Sequence, residues 1–259
     1  MDLSELSLDD LFWSATPDQL KRGYHPVDNG FICLVCGAQF SQGEVYPHGD
    51  KWFTAERMAS VHVQDVHGSM FYYLLGLNKK ITGLTDHQRT LLRLFFECDS
   101  DAEIVKSLGG GSASTIRAHR FTLREKEKQA KVFLAIMELL GEKQERKPSA
   151  SFIGIHKTAT TIDERYAVTL EENEEILKKY FPEGASGRLK EFPKKEKRKI
   201  AILRHIMARF EARRTYTEKE VNDVLKTVYE QDYVTLRRYL IEYGFMDRKE
   251  DGSSYWVKQ

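Results

Sequence analysis

Two cysteines and two histidines carry the clearest chemistry in this chain. Cys33 and Cys36 sit in FICLVCGAQF, and His62 and His67 lie in FTAERMASVHVQDVHG. Two thiolates and two imidazoles form the N/S donor set that Zn2+ takes tetrahedrally, and an H-x4-H spacing lets both rings converge from the end of one helix. The stretch from Phe31 to Gly68 holds few aliphatic residues, so a metal would contribute to its folding. The 25 residues between Cys36 and His62 exceed the dozen or so of the common finger, implying a longer hairpin that includes Tyr46, His48 and Trp52. Three other readings stay open: a redox CxxC, histidines that merely pack, and His48 replacing one of the helical pair. A catalytic zinc would need an open position and a general base, as in H-E-x-x-H, and that motif is absent. The predicted role is structural zinc at Cys33, Cys36, His62 and His67.

The second chemistry is charge and shape for DNA. Arg117, Phe121 and Arg124 fall at i, i+4 and i+7, with Ala118 beside them, on the face opposite Ile116, His119 and Leu123. Arginine serves both phosphates and guanine edges, and an exposed Phe can lie against a thymine methyl. Three helices must position that face. Thr85-Asp86-His87-Gln88 and Ser100-Asp101-Ala102-Glu103 are capping boxes opening the first two. Leu91, Leu92, Leu94, Phe95 and Phe96 supply the core stripe of the first helix, and Ala102, Ile104, Val105 and Leu108 that of the second. Gly109-Gly110-Gly111 breaks the second helix, and Ser112 or Ser114 caps the third.

Leu84 to Lys126 resembles the LuxR-type helix-turn-helix. The likeness rests on L-T-x-x-Q-R-x-L-L, S-D-x-E-I-x-x-x-L and T-I-R-x-H before a closing R-x-K. It implies that Thr115, Arg117, Ala118, Phe121, Thr122 and Lys126 meet DNA, whereas His119 and Glu103 are internal. Arg124 joins this set from its position on the helix. The family's turn is usually G-[IV]-S, and here it is GGGSAS, so the turn is longer and lacks its apolar anchor. The third helix runs on through KEKQAKVFLAIMELL, with a stripe of Ala130, Phe133, Leu134, Met137 and Leu140. That stripe predicts pairing with a second subunit or with the first helix of this chain. LuxR-like proteins commonly dimerise through such a helix, and two-fold DNA sites favour a homodimer.

The segment from Phe192 reads as helix, helix, helix and hairpin, a winged-helix layout. Thr217 to Glu220 is another capping box, Asp232 caps the next helix, and Asp251-Gly252 forms the hairpin turn. It resembles the domain of unknown function that ends a number of bacterial transcriptional regulators, through R-R-x-L-I-x-x-G-[FY]-[ML] and G-x-x-Y-W between Arg237 and Trp256. Arg237, Arg238, Arg248 and Lys249 read as a second nucleic-acid face, and equally Arg237, Arg238 and Asp247 read as salt bridges that tie the hairpin to the third helix. The run from Lys194 to Lys199 reads as a solvated helix start.

The chain has 259 residues, 31% of them charged, with a net charge of +1, so a DNA-binding surface must be a local patch. The three cysteines suit a reducing compartment, and no apolar run reaches membrane-spanning length. The start, MDLSELSLDDLFW, has neither the basic nor the apolar region of a signal peptide, which predicts a cytoplasmic protein. No P-loop, nucleophile elbow or G-x-G-x-x-G points to an enzyme. The fold expected is mainly α with small β. It comprises an N-terminal helix and ββα-like zinc-knuckle module (1–77), a three-helix helix-turn-helix with an extended helix (78–141), a linker with strand and connecting helix (142–190), and a winged-helix-like α+β domain (191–259). One helix is expected to span residues 1 to about 24, with Leu3, Leu6, Leu8, Leu11 and Phe12 apolar. Gly141 to Ser151 reads as linker, and a strand or two is expected within TATTIDERYAVT. Together these readings predict a DNA-binding transcriptional regulator of bacterial type, its effector unspecified. The alternative is a protein-binding adaptor that uses the same helices for assembly.

Overall fold

A computed structural model describes residues 8–144, 152–160 and 162–258. It is mainly helical with small antiparallel sheets. The chain forms two compact units, one from residues 1–82 and 152–259 and the other from 83–151. The N-terminal module and the C-terminal segment therefore share one unit. No helix among the described residues is long and apolar enough to cross a membrane.

The first unit starts with two helices where one was expected, α1 (Leu8–Ser14) and α2 (Pro17–Arg22). The break has a local cause: Thr16 accepts from the Gln19 amide, the Gln19 side chain accepts from the Thr16 amide, and Pro17 takes the first helical position. Leu11 and Phe12 are buried, while Leu3 and Leu6 lie outside the described residues. Strands β1 (Tyr24–Val27), β2 (Gly30–Cys33) and β3 (Gln39–Ser41) make an antiparallel sheet, and β4 (Val45–His48) pairs with β5 (Lys51–Thr54) as a separate hairpin. Helix α3 (Ala55–His67) crosses this layer and buries Ala55, Ala59 and Val63 against it, followed by α4 (Met70–Gly76) and α5 (Lys79–Thr82).

After the second unit the chain returns as an irregular segment, not the strand expected there. Apart from one bridge, Phe152 to Thr169, the described residues from 153 to 168 pair with no strand and hold only a 3-10 turn, Glu164–Tyr166. Several of their polar groups reach distant partners. The Thr158 hydroxyl donates to the Gly244 carbonyl, the Thr160 hydroxyl to the Glu242 carbonyl, and Lys157 to the cysteine loop. Helix α9 (Leu170–Tyr180) then opens on a capping box of Thr169 and Glu172.

The remaining order is α10 (Glu196–Met207), β6 (Thr215–Tyr216), α11 (Glu218–Tyr229), α12 (Tyr233–Glu242), β7 (Met246–Arg248) and β8 (Tyr255–Val257), with sheet order β6-β8-β7. Ile200, Leu203, Ile206, Val221, Leu225, Leu236, Leu240 and Tyr255 interlock as its core, each at most 1% exposed. Arg237 donates to Glu218 of α11 at 2.7 Å and lies near the Tyr255 ring, so it ties helices together. Asp247 pairs with Lys258 along the hairpin, not with α12. Arg238, Arg248 and Lys249 are exposed.

His156 stacks on Phe245 with ring centroids 3.9 Å apart, and burial lowers its pKa from 6.5 to about 4. A base whose folded pKa is depressed binds its proton in the unfolded chain first. It therefore costs nothing above pH 6.5 and destabilises progressively between pH 6.5 and about 4. In urea melts, the wild type is expected to lose stability relative to His156→Gln across that window. Parallel curves would exclude the effect.

Candidate metal centre and nucleic-acid face

The cysteine loop joins β2 to β3. It closes through the Cys33 amide donating to the Ala38 carbonyl and the Gly37 amide donating to the Cys33 carbonyl, with Gly37 at φ 72°. That left-handed φ is one a side chain adopts at a cost, which accounts for glycine directly after the second cysteine. Both cysteines are buried, at 0% and 6% exposed, and the last two turns of α3 bring His62 and His67 over them. One donor atom from each of Cys33, Cys36, His62 and His67 lies within 4.8 Å of the others, close enough to hold a metal ion. Cys36 Sγ is 3.2 Å from His62 Nε2, and the two imidazole centroids are 5.2 Å apart. His67 Nε2 is shielded from solvent without a hydrogen-bond partner, as a lone pair directed at a metal would be.

Electrostatics inside the group are polarised. The hydrogen bond from the Cys33 thiol, with His62, holds Cys36 well below the usual thiol range. Cys33 is pushed up, first by its hydrogen bond to Cys36 and then by burial. The direction at Cys36 is toward the thiolate, the form that ligates metals. His48 is not part of the group; its Nε2 faces Asp65 Oδ2 at 3.4 Å from the exposed hairpin.

Two cations that the spacing of the motif does not reveal hold this loop. Lys157, 3% exposed, donates from Nζ to the Leu34 carbonyl at 2.7 Å and the Val35 carbonyl at 2.9 Å. Arg213 donates from its guanidinium to the Cys36 carbonyl at 3.2 Å and to Cys36 Sγ at 3.3 Å. A cleft of about 630 Å³ opens beside the group, lined by His62, His67, Arg213, Trp256 and Lys258 among others.

The second unit holds α6 (Asp86–Glu97), α7 (Asp101–Ser107) and α8 (Ala113–Gln144), which meet through one fully buried residue each, Leu91, Ile104 and Ile116. Thr85 and Gln88 form the expected capping box. At α7 the box is shifted: Ser100 accepts from the Glu103 amide, but the Glu103 carboxylate accepts from Asp99, one residue upstream. Glu103 and Ala102 are exposed, not internal, and Phe96 is 57% exposed, outside the core stripe. The glycine turn has a defined geometry. Gly109 donates to the Lys106 carbonyl and Gly110 to the Val105 carbonyl, the paired bonds of a Schellman cap. Gly109, Gly110 and Gly111 have φ of 73°, 153° and 106°, so glycine is required through the turn.

Ser112, not Ser114, caps α8 by accepting from the Thr115 amide. Ser112→Ala is expected to cost about 1 kcal/mol, read as a lower thermal midpoint; an unchanged midpoint would remove the cap's role.

Along α8, Thr115, Arg117, Ala118, Phe121, Thr122 and Arg124 are exposed, while His119 is half-buried beside His87. Two residues of the expected DNA-contact set make hydrogen bonds within their own unit. Lys126 donates its ammonium to the Gly83 carbonyl, and the Thr122 hydroxyl is turned back onto the Ala118 carbonyl. Arg120, which spacing did not single out, spans Asp101 at 3.0 Å and stacks over the Phe95 ring at 4.0 Å, pinning α8 to both other helices. The helix does run on unbroken through Gln144, including Gly141 to Gln144 of the expected linker; residues 145–151 lie outside the described residues. Ala130, Phe133, Leu134, Met137 and Leu140 are exposed, and so are Val132, Ile136 and Leu139, so the apolar face is wider than a single stripe.

Residues 188–257, from the approach to α10 through β8, match a family described as an uncharacterized protein conserved in bacteria (DUF2087). Arg213 falls inside that match, and the segment from Leu84 to Lys126 falls outside it. No curated protein and no solved structure matches the chain.

Proposed function

We propose that this chain is a non-enzymatic, sequence-specific DNA-binding regulator of transcription, acting in the cytoplasm as a homodimer and carrying a structural Zn2+. The observation that carries the reading is the α8 face of Arg117, Ala118, Phe121 and Arg124. These side chains are exposed along one helix whose opposite side, at Ile116, anchors a three-helix core. A rigid helix that presents arginines and an aromatic to solvent suits a major groove, with α6 and α7 setting its angle as in a helix-turn-helix. Lys126 and Thr122, being engaged within their own unit, serve position more than contact.

Cys33, Cys36, His62 and His67 would hold the metal, and the metal would supply folding energy to a module of short strands. The order helix, strand, helix, helix, hairpin in the C-terminal segment supports a winged-helix reading of that part. The exposed apolar residues of α8 cover roughly 220° of arc at 100° per residue, a face that calls for helical neighbours. Two copies joined there would bring two reading helices to one two-fold site.

Selection of bound duplexes from a random DNA pool tests the reading. A recovered two-fold motif whose affinity falls with salt is expected, because each phosphate contact releases counterions. Recovery of no motif, with salt-insensitive association, would leave the adaptor reading, which the wide apolar face of α8 favours.

A further inference from the structure

We propose that Arg213 and Lys157 are outer-sphere positioning residues of the metal centre, and that through them metal occupancy is linked to the packing of the DUF2087-matched segment against the N-terminal module. The proposal rests on the metal reading of the four-residue group. Its basis is geometric. The carbonyls of Leu34, Val35 and Cys36 are the three that follow Cys33 in the loop, and all three accept from these two cations. Arg213 adds a contact to the Cys36 sulfur itself. Neither cation belongs to the module that supplies the ligands. Lys157 comes from the irregular return segment and Arg213 from the loop before β6, both later in the chain than the second unit.

The chemistry of the two contacts differs. A guanidinium fork holding a carbonyl and a thiolate of one residue fixes the rotamer of that ligand and draws charge from the sulfur, as outer-sphere donors to metal ligands do. Lys157 instead fixes the direction of the two central peptide units of the loop, and so the separation of the sulfurs. Its own backbone amide donates to Asp9 Oδ1, and Arg204 of α10 reaches Asp10 of α1. The return segment and α10 are thereby fastened to the N-terminal helices around the same loop. If the loop loses its metal and its shape, the acceptors for both cations move with it.

Arg213 is exposed, so substituting it leaves the core intact. Co2+ titration of the full chain against a competing chelator reads affinity, and the ligand-field spectrum reads geometry. Arg213→Ala is expected to weaken Co2+ binding about 10- to 100-fold while keeping a tetrahedral spectrum. Arg213→Lys, which keeps the charge but not the fork, should fall between that variant and the wild type. Hydrogen exchange of the metal-free wild type should show lost protection at residues 153–158 and 210–216 as well as in the cysteine loop. Wild-type affinity in Arg213→Ala, or protection at 210–216 that ignores metal, would overturn the proposal and leave the metal reading standing. A wild type that takes up neither Co2+ nor Zn2+ would remove both.

Discussion

Replacing Cys33 with alanine is expected to abolish stable metal binding and to unfold the module from Tyr24 to His67. The group has two sulfurs and two ring nitrogens within 4.8 Å, and the core around it is built on short strands, so losing one ligand removes the centre that Lys157 and Arg213 only support from outside. Structural zinc sites of this donor type contribute on the order of 10 kcal/mol or more in apparent binding energy at neutral pH. That exceeds the roughly 5–15 kcal/mol stability of a typical domain or matches it. The variant should purify with less than stoichiometric zinc and show lost sheet signal in the far ultraviolet, and a chelator should reproduce both in the wild type. Full folding without zinc would make the group an ordinary cysteine–histidine cluster and would end the structural-metal reading. Loss should also grow with acid, since thiolate and neutral imidazole are the binding forms.

A double substitution, Arg117→Ala with Arg124→Ala, should lose specific DNA affinity without losing fold. Each bidentate arginine contact to a base is worth about 1–3 kcal/mol, so the pair removes about two to six, enough to erase discrimination between sites. Both residues are exposed and lie away from Leu91, Ile104 and Ile116, so thermal stability should not change. Electrophoretic mobility shift on the selected duplex reads the effect. A companion Arg120→Ala should behave differently, because Arg120 bridges Asp101 and Phe95 inside the three-helix core: its loss lowers stability before affinity. Specific binding that survives in the double variant would exclude this face of α8 as the reader.

Local signals in the sequence placed several helix starts. A Thr followed three residues later by Gln or Glu names its own cap, and Thr85, Thr169 and Thr217 each cap as that pattern requires. The four donor residues were legible for the same reason, since CxxC and H-x4-H fix which atoms converge. Contacts set by distant partners were not legible. The stretch from Thr158 to Thr169 alternates enough to suggest a strand, yet the Thr158 and Thr160 hydroxyls donate to the Gly244 and Glu242 carbonyls, and the ammonium of the preceding Lys157 donates to the Leu34 carbonyl, all far along the chain. Arg213 and Lys157 look like ordinary surface charges until the loop at Cys36 is brought to them. Lys126 fits the pattern of a phosphate contact, and its hydrogen bond to the Gly83 carbonyl was not legible in that pattern.

The interrupted first unit has a consequence for synthesis on the ribosome. All four donor residues have emerged once His67 is made, so the metal site can assemble early. The helical unit of 83–151 draws its core from residues close in sequence and can fold next. The first unit cannot close until its C-terminal part is made, because polar contacts such as Arg204 with Asp10 and Arg213 with Cys36 join residues near the start of the chain to residues past 200. Such distant pairings form slowly, and an unclosed half-domain exposes apolar surface while it waits. An early metal site would give the nascent N-terminal module a fixed shape through that interval, a template already in place when Lys157 and Arg213 arrive.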